Sequence, residues 1–269
     1  MKLVHHDPWQ ALKQFTAARV ALGRAGDSLP TNAVLDFGIA HAQARDAVHA
    51  TFQVDDVSST LRGDGLNWVT VHSLASDRAT FLRRPDLGRR LDNASRERLH
   101  AQRASDAPDV VFVVADGLSA LAAQRHGPAL LRAIVPCLNE QQNAWQIGPV
   151  VIAEQARVAL GDEIGELLGA RQVAMLIGER PGLTAPHSLG VYLTWSPRIG
   201  RTDAERNCIS NIRPEGLGYA IAAQRLAWLL NAARQRQLTG VALKDDSGSV
   251  ALPDVSAVQA RISRDPSAV

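Results

Sequence analysis

A chain of 269 residues, 46% of them hydrophobic, can bury one large core or two small ones. Its formal charge of +2, from 29 basic and 27 acidic residues, excludes nucleic-acid binding by bulk charge, and its two cysteines, Cys137 and Cys208, exclude a disulfide scaffold. No run of about 18 apolar residues is present to span a membrane. The opening MKLVHHDPWQALKQF lacks the apolar core of a signal peptide, so a soluble, cytoplasmic protein is expected.

In chain order, Pro8 marks a helix start, with Trp9, Leu12, Phe15 and Val20 at roughly helical spacing, and Gly23 to Pro30 breaks it. A second helix is predicted after Pro30, with Thr31 as its N-cap and Val34, Leu35, Ile39, Ala42 and Val48 as its buried face. Asn67 to Ala75 reads as a strand, and Ser76 to Leu99 as a charged stretch interrupted by Pro85 and Gly88. From residue 105 the pattern changes. DVVFVVADGLSA is an apolar run on both faces, as a buried parallel strand requires. A helix over Leu130 to Leu138 follows, then a strand over Ile147 to Ala153. Gly161 to Gly169 is a short helix with Glu163 and Glu166 exposed. Strands are predicted over Gln172 to Glu179 and Leu189 to Ser196, a long helix over Gly218 to Arg236, and a last strand at GVAL, Gly240 to Leu243. Ala204 to Tyr219, AERNCISNIRPEGLGY, shows neither strand alternation nor a helical stripe and reads as a polar loop.

The alternation predicts an α/β fold: a mostly parallel sheet with helices on both faces, preceded by a helical N-terminal region. The expected organisation is a mainly helical, partner-facing region over 1–104, a ligand-binding α/β domain over 105–246, and a loosely attached tail over 247–269. The loops at the C-terminal strand ends, ADGLSA, AEQARVALGD and GERPGL, would form the site together with the polar segment.

Several motifs carry competing readings. Asp116-Gly117-Leu118-Ser119-Ala120 could be a hydrolase nucleophile elbow with His187 as base, but Leu121 stands where the second glycine belongs. The alternative is a tight turn in which Asp116 or Ser119 holds backbone amides. Neither a dinucleotide fingerprint nor a Walker loop is present. Glu179, at a strand's C-terminal end, suits a ligand contact or a local pair with Arg180. His41, Arg45 and His49 share a helix face without the carboxylate or third ligand that a metal site needs, so a partly buried polar face is expected and no metal is assigned. The arginine run from Arg83 to Arg90 could grip phosphate or form a solvated face with ion pairs. Cys208 would be a nucleophile only in a positive field, for which Arg206 and Arg213 are candidates.

GERPGL, YLTWSPRIGRTDAERNCISNIRPEGLGYAIAA, DVVFVVADGLSA, ARVALGRAGDSLPTNAVLDFGIAHAQARDAVH and DRATFLRRPDLGRRL together resemble the small (light) chain of the ethanolamine ammonia-lyase family, in order, over roughly residues 8 to 245. The resemblance implies an adenosylcobalamin-dependent radical lyase that converts ethanolamine to acetaldehyde and ammonia. It implies a hetero-oligomer in which a large (β/α)-barrel subunit carries the substrate site. The small chain closes on the cobalamin through a Rossmann-like domain, contributing no catalytic residue. Carried over motif by motif, the cofactor contacts are Val158 in EQARVALGD, Glu179 in GERPG and Cys208 in ERNCISN. Asn207, Ser210 and Asn211 would offer donors and acceptors to the corrin amides. The D-x-H-x-x-G motif of base-off cobalamin proteins does not occur, so a base-on mode is expected. Family members often carry an additional N-terminal amphipathic stretch associated with bacterial microcompartments. This chain begins almost directly at DPWQALKQFTAARVALG, which leaves cytoplasm as the expectation and a microcompartment as the alternative. Two rivals stand beside the lyase subunit: a non-enzymatic scaffold or regulatory partner, and an α/β hydrolase using Ser119 and His187.

Overall fold

The structure, a computed structural model, describes residues 4–139 and 144–248. It resolves into two compact units, one of residues 4–45, Gly182–Thr184 and Gly248, the other of Asp46–Pro181 and Ala185–Ser247. The predicted tail, from residue 249 on, lies outside the described residues.

The larger unit is built on one six-stranded sheet. Its strands are β1 (Trp68–His72), β2 (Val111–Ala115), β3 (Val150–Glu154), β4 (Gln172–Gly178), β5 (Leu189–Trp195) and β6 (Arg206–Ile212), in the spatial order β1-β3-β2-β4-β5-β6. The first four are mutually parallel, whereas β5 and β6 run antiparallel to their neighbours. β2 is apolar at every position because it is covered twice. Val110, Phe112 and Val114 pack with α2 (Val54–Gly63), α5 (Ala120–Asn139) and α7 (Tyr219–Arg236). Val111, Val113 and Ala115 pack with residues of α4 (Asn93–Ala101) and α6 (Leu160–Leu168). A fully buried Phe, Leu or Ile contributes about 1.5–3 kcal/mol, so these two layers dominate the stability of the unit.

Four sequence readings are corrected here. The polar segment is not a loop: its middle is the edge strand β6, whose Ile209 and Ile212 both face the core. A bulge hides the alternation. Val191 pairs with Ile209 but Leu189 with Ile212, so Ser210 and Asn211 together oppose Gly190, and Asn211 takes a left-handed φ of 57°. GVAL is a single 3-10 turn over Gly240–Ala242, fixed by Gly240 at φ 85° and by the Asn207 side chain, which accepts from the Gly240 amide and donates to the Leu243 carbonyl. Glu163 is buried, because Arg96 (2.6 Å), Arg90 (3.3 Å) and the Leu91 amide (3.0 Å) all converge on its carboxylate; Glu166 is exposed as expected. The helix α2 was not foreseen.

The smaller unit holds a 3-10 helix over Pro8–Gln14, capped by the Asp7 carboxylate at the Trp9 amide, rather than a long α-helix. The next helix, α1, runs Thr31–His49. Thr31 is its first turn, not its cap; the Pro30 carbonyl accepts the first helical bond from Val34. The predicted buried face is also wrong. Ala40 and Ala47 are buried, while Val34, Leu35 and Ile39 are more than half exposed and Ala42 is exposed. Trp9, Phe15 and Phe37 are exposed too.

Candidate functional site

The loops after β2 and β3 lead to α5 and α6, which cover opposite sheet faces. Such a divergence opens a crevice at the strand ends. Asp116 closes its floor: the carboxylate accepts from the Gln155 amide (2.9 Å), the Ala156 amide (3.0 Å) and Arg78 Nη1 (3.4 Å). It holds amides, as one reading of the motif expected, but those of the neighbouring loop rather than of its own helix. Gly117 and Gly178 let the β2 and β4 loops interlock: a Cβ on Gly117 would lie 2.3 Å from the Gly178 carbonyl oxygen. Burial pushes the Asp116 carboxyl up from 3.8 to about 6, against the pull of its amide partners and Arg78. Between about pH 4 and pH 6 the folded chain therefore holds a proton that the unfolded chain has released. The stability Asp116 contributes is full below that window and is lost as pH rises through it, on the order of 3 kcal/mol. In urea unfolding at pH 4, 5, 6 and 7, Asp116→Asn is expected to flatten this fall relative to the wild type. Parallel profiles for the two proteins would contradict it.

Beyond the crevice, β4 ends in Glu179. Its carboxylate accepts from Ser188 Oγ (2.5 Å) and from the Asn211 amide (3.2 Å) that the β6 bulge turns toward it. The side chain lies over Gly190; a Cβ there would sit 2.9 Å from Glu179 Oε1. Its partners within the chain are thus Ser188 and Asn211 rather than Arg180. Two residues along β5, on the same face as Gly190, stands Tyr192, and Cys208 is its register partner on β6. Burial, then Cys208 and Glu179, push the Tyr192 hydroxyl up to about 12. Burial and the Glu179 charge raise the Cys208 thiol above its ordinary range, outweighing a hydrogen bond from Tyr192. Cys208 is therefore a neutral thiol on an exposed edge strand, which removes the nucleophile reading. Val158, half-buried in the turn before α6, packs on the same core layer as Tyr192. The three positions singled out in sequence, Val158, Glu179 and Cys208, thus converge on one face of the sheet, with Tyr192 among them.

Val158 and Tyr192 also line a cavity of about 570 Å³, together with Arg89, Arg90, Arg157, Arg201 and Arg206. Arg206 gives Cys208 no positive field, because it is tied to Asp162 through two bonds of 2.6 and 2.7 Å, both side chains being 2% exposed. It also donates to Thr194 Oγ1 and the Arg201 carbonyl. Despite its own burial, Arg206 holds its proton above the ordinary range because of Asp162. Arg201 engages Glu205.

The remaining motifs stand apart. Ser119 is fully buried and its hydroxyl donates to the Pro186 carbonyl (3.2 Å), so it is no elbow nucleophile. Burial lowers the His187 imidazole below its usual range, and Nδ1 has no partner. His41, Arg45 and His49 are exposed, not partly buried, and no cluster able to hold a metal ion exists among the described residues. Within the arginine run, Arg84 pairs with Asp86 at the surface. Asn207 is engaged by the Gly240 turn and is not free for a ligand. Tyr192, Gln155 and Arg157 are not singled out in the sequence reading, although Gln155 and Arg157 lie inside the EQARVALGD motif of Val158 and Tyr192 opens the YLTWSPRIG motif. Among the described residues no helix is long and apolar enough to cross a membrane.

Residues 6–244 match the family described as Ethanolamine ammonia-lyase light chain (EutC). The chain is 56% identical over 250 residues to the ethanolamine ammonia-lyase small subunit of Pseudomonas aeruginosa (strain LESB58), covering 91% of this chain and 90% of that one. It is 55% identical over 246 residues to the small subunits of Azotobacter vinelandii and Pseudomonas putida (strain KT2440), covering 90% of this chain and 89% of each.

Proposed function

The chain belongs to the ethanolamine ammonia-lyase light-chain family, and on that premise we propose that it is the cofactor-seating subunit of an adenosylcobalamin-dependent lyase that releases ammonia from ethanolamine. The observation that carries this reading is the placement of Val158, Glu179 and Cys208 on one face of the sheet. The donor set suits an amide-fringed macrocycle. Val158 offers an aliphatic surface, and Cys208 a neutral thiol that approaches a ring without a charge penalty. Gln155 holds a buried Oε1 with no partner among the described residues, able to accept from an amide. Glu179, held by Ser188 and Asn211, is oriented for a ligand donor without rotamer search. When bound, the cofactor supplies cobalt–carbon homolysis. This chain's residues orient the ring, exclude water from it and hold it base-on in a Rossmann-like platform. Substrate chemistry belongs to a large barrel subunit. The hydrolase reading loses its nucleophile to the Ser119–Pro186 bond.

The exposed face of α1 is where that large subunit docks. Val34, Leu35, Phe37 and Ile39 form an apolar surface that water alone would not leave on a stable chain. Leu35→Glu with Ile39→Glu is expected to abolish co-purification with the large subunit while leaving the far-ultraviolet spectrum of the chain unchanged, since neither side chain enters the core. Co-purification at wild-type yield would rule this face out. Cytoplasm is the proposed location.

The reading itself is tested by desalting the two-subunit complex after adding adenosylcobalamin. Visible cofactor that survives desalting, together with ammonia on addition of ethanolamine, is the expected result. A colourless, inactive complex would favour the scaffold alternative.

A further inference from the structure

The cavity beside Val158 has more positive charge than it neutralises. Of its five arginines, Arg206 is engaged by Asp162, Arg201 by Glu205 and Arg90 by Glu163. Arg89 makes no ion pair or side-chain hydrogen bond among the described residues and stands exposed at the rim. Arg157 stacks 4.2 Å above the Phe81 ring and donates from Nη2 to the Phe81 carbonyl, but its Nε is buried with no partner among the described residues. A buried, unpaired guanidinium N–H is costly unless something outside the chain accepts from it. Burial, then the charges of Arg78 and Arg89, lower the Arg157 guanidinium below its ordinary range, and the Asp116 carboxylate offsets this only in part. The Arg157 stem rests in a notch that only glycine provides: a Cβ on Gly88 would lie 2.9 Å from Arg157 Cγ. The guanidinium is thereby held in place rather than swinging in solvent.

We propose that Arg157 and Arg89 form an anion subsite for the phosphodiester of the cobalamin nucleotide tail. This rests on the cofactor-seating reading above. The chemistry fits: guanidinium N–H groups match phosphate oxygens, and the phosphodiester is the one fixed negative charge on that tail. Continuity supports it as well, because Val158 and Tyr192 line the cavity and belong to the face that would meet the ring. The subsite lets the chain tell a complete cobalamin from cobinamide, which has the same ring but no phosphodiester-linked base.

The test compares retention of cobalamin and cobinamide by the co-purified two-subunit complex, by equilibrium dialysis at low and high salt. The variants are Arg157→Met, which keeps the packing on Phe81, and Arg89→Ala, which touches no core. Each variant is expected to weaken cobalamin roughly tenfold and leave cobinamide unchanged. The wild-type preference for cobalamin should fall as salt rises. Equal loss of both ligands, or no loss of either, would overturn the subsite. Should inorganic phosphate tighten cobinamide retention while the variants leave the cobalamin preference intact, the cavity takes a free anion and the proposal is wrong. A wild-type complex that retains no cobalamin sinks the cofactor-seating reading, and this inference with it. Wild-type retention with unaltered variants sinks the inference alone.

Discussion

Arg206→Met is expected to destabilise the protein by about 3–5 kcal/mol, the largest single effect in the molecule. The cause is what remains. Asp162, in the first turn of α6, would stay 2% exposed with neither of its two guanidinium bonds, and a buried carboxylate without a partner must either keep its charge at great cost or take up a proton. Thr194 Oγ1 and the Arg201 carbonyl would lose the same donor. Removing both charges, as in Asp162→Leu with Arg206→Met, should recover much of the loss, because a buried pair contributes little net stability compared with apolar replacements of similar volume. Thermal unfolding of the single and double variants checks this. A single variant within about 1 kcal/mol of wild type would mean that water reaches the pair, contrary to the burial seen here.

Glu179→Ala is expected to lower cobalamin retention by about 10- to 100-fold while turnover per retained cofactor stays within about threefold. The carboxylate orients the end of β4 against the β6 bulge through Ser188 and the Asn211 amide. Its loss frees Asn211 and loosens the edge on which Cys208 sits. On the cofactor-seating reading, the effect belongs to binding rather than to the chemical step. Glu179→Gln, which keeps an acceptor for both donors, should lie between wild type and alanine. Unchanged cobalamin affinity with abolished turnover would contradict the assignment and place Glu179 in the chemistry.

The buried centre of the sheet was legible because its strands are covered on both faces: VVFVVA must be apolar throughout and needs no partner information. The direction of α1 was not. Its apolar residues mark a helix, but nothing in their spacing tells an inward face from an outward one, and Val34, Leu35 and Ile39 are exposed. Glu163 failed for a related reason. In GDEIGELLG it looks like a solvated acid, and only the return of Arg90 and Arg96 from some seventy residues earlier makes its burial tolerable. β6 was hidden by one extra residue. The bulge at Ser210 and Asn211 breaks the period of two and turns an amide toward Glu179, so the feature that obscured the strand also builds the site. Glu179 suits a ligand contact from its place at a strand end, whereas Val158 and Cys208 entered as cofactor contacts through family resemblance. That they share a face depends on the pairing of Cys208 with Tyr192 and on the missing side chain of Gly190, relations between strands that no single segment displays.

The central claim is that this chain seats the cofactor for a catalytic partner. It is tested most directly by expressing the large subunit with and without this chain, adding adenosylcobalamin, desalting, and reading the visible spectrum and ammonia release on one sample. The account predicts retained cobalamin and ammonia only when both chains are present. Equal retention and equal ammonia from the large subunit alone would contradict it.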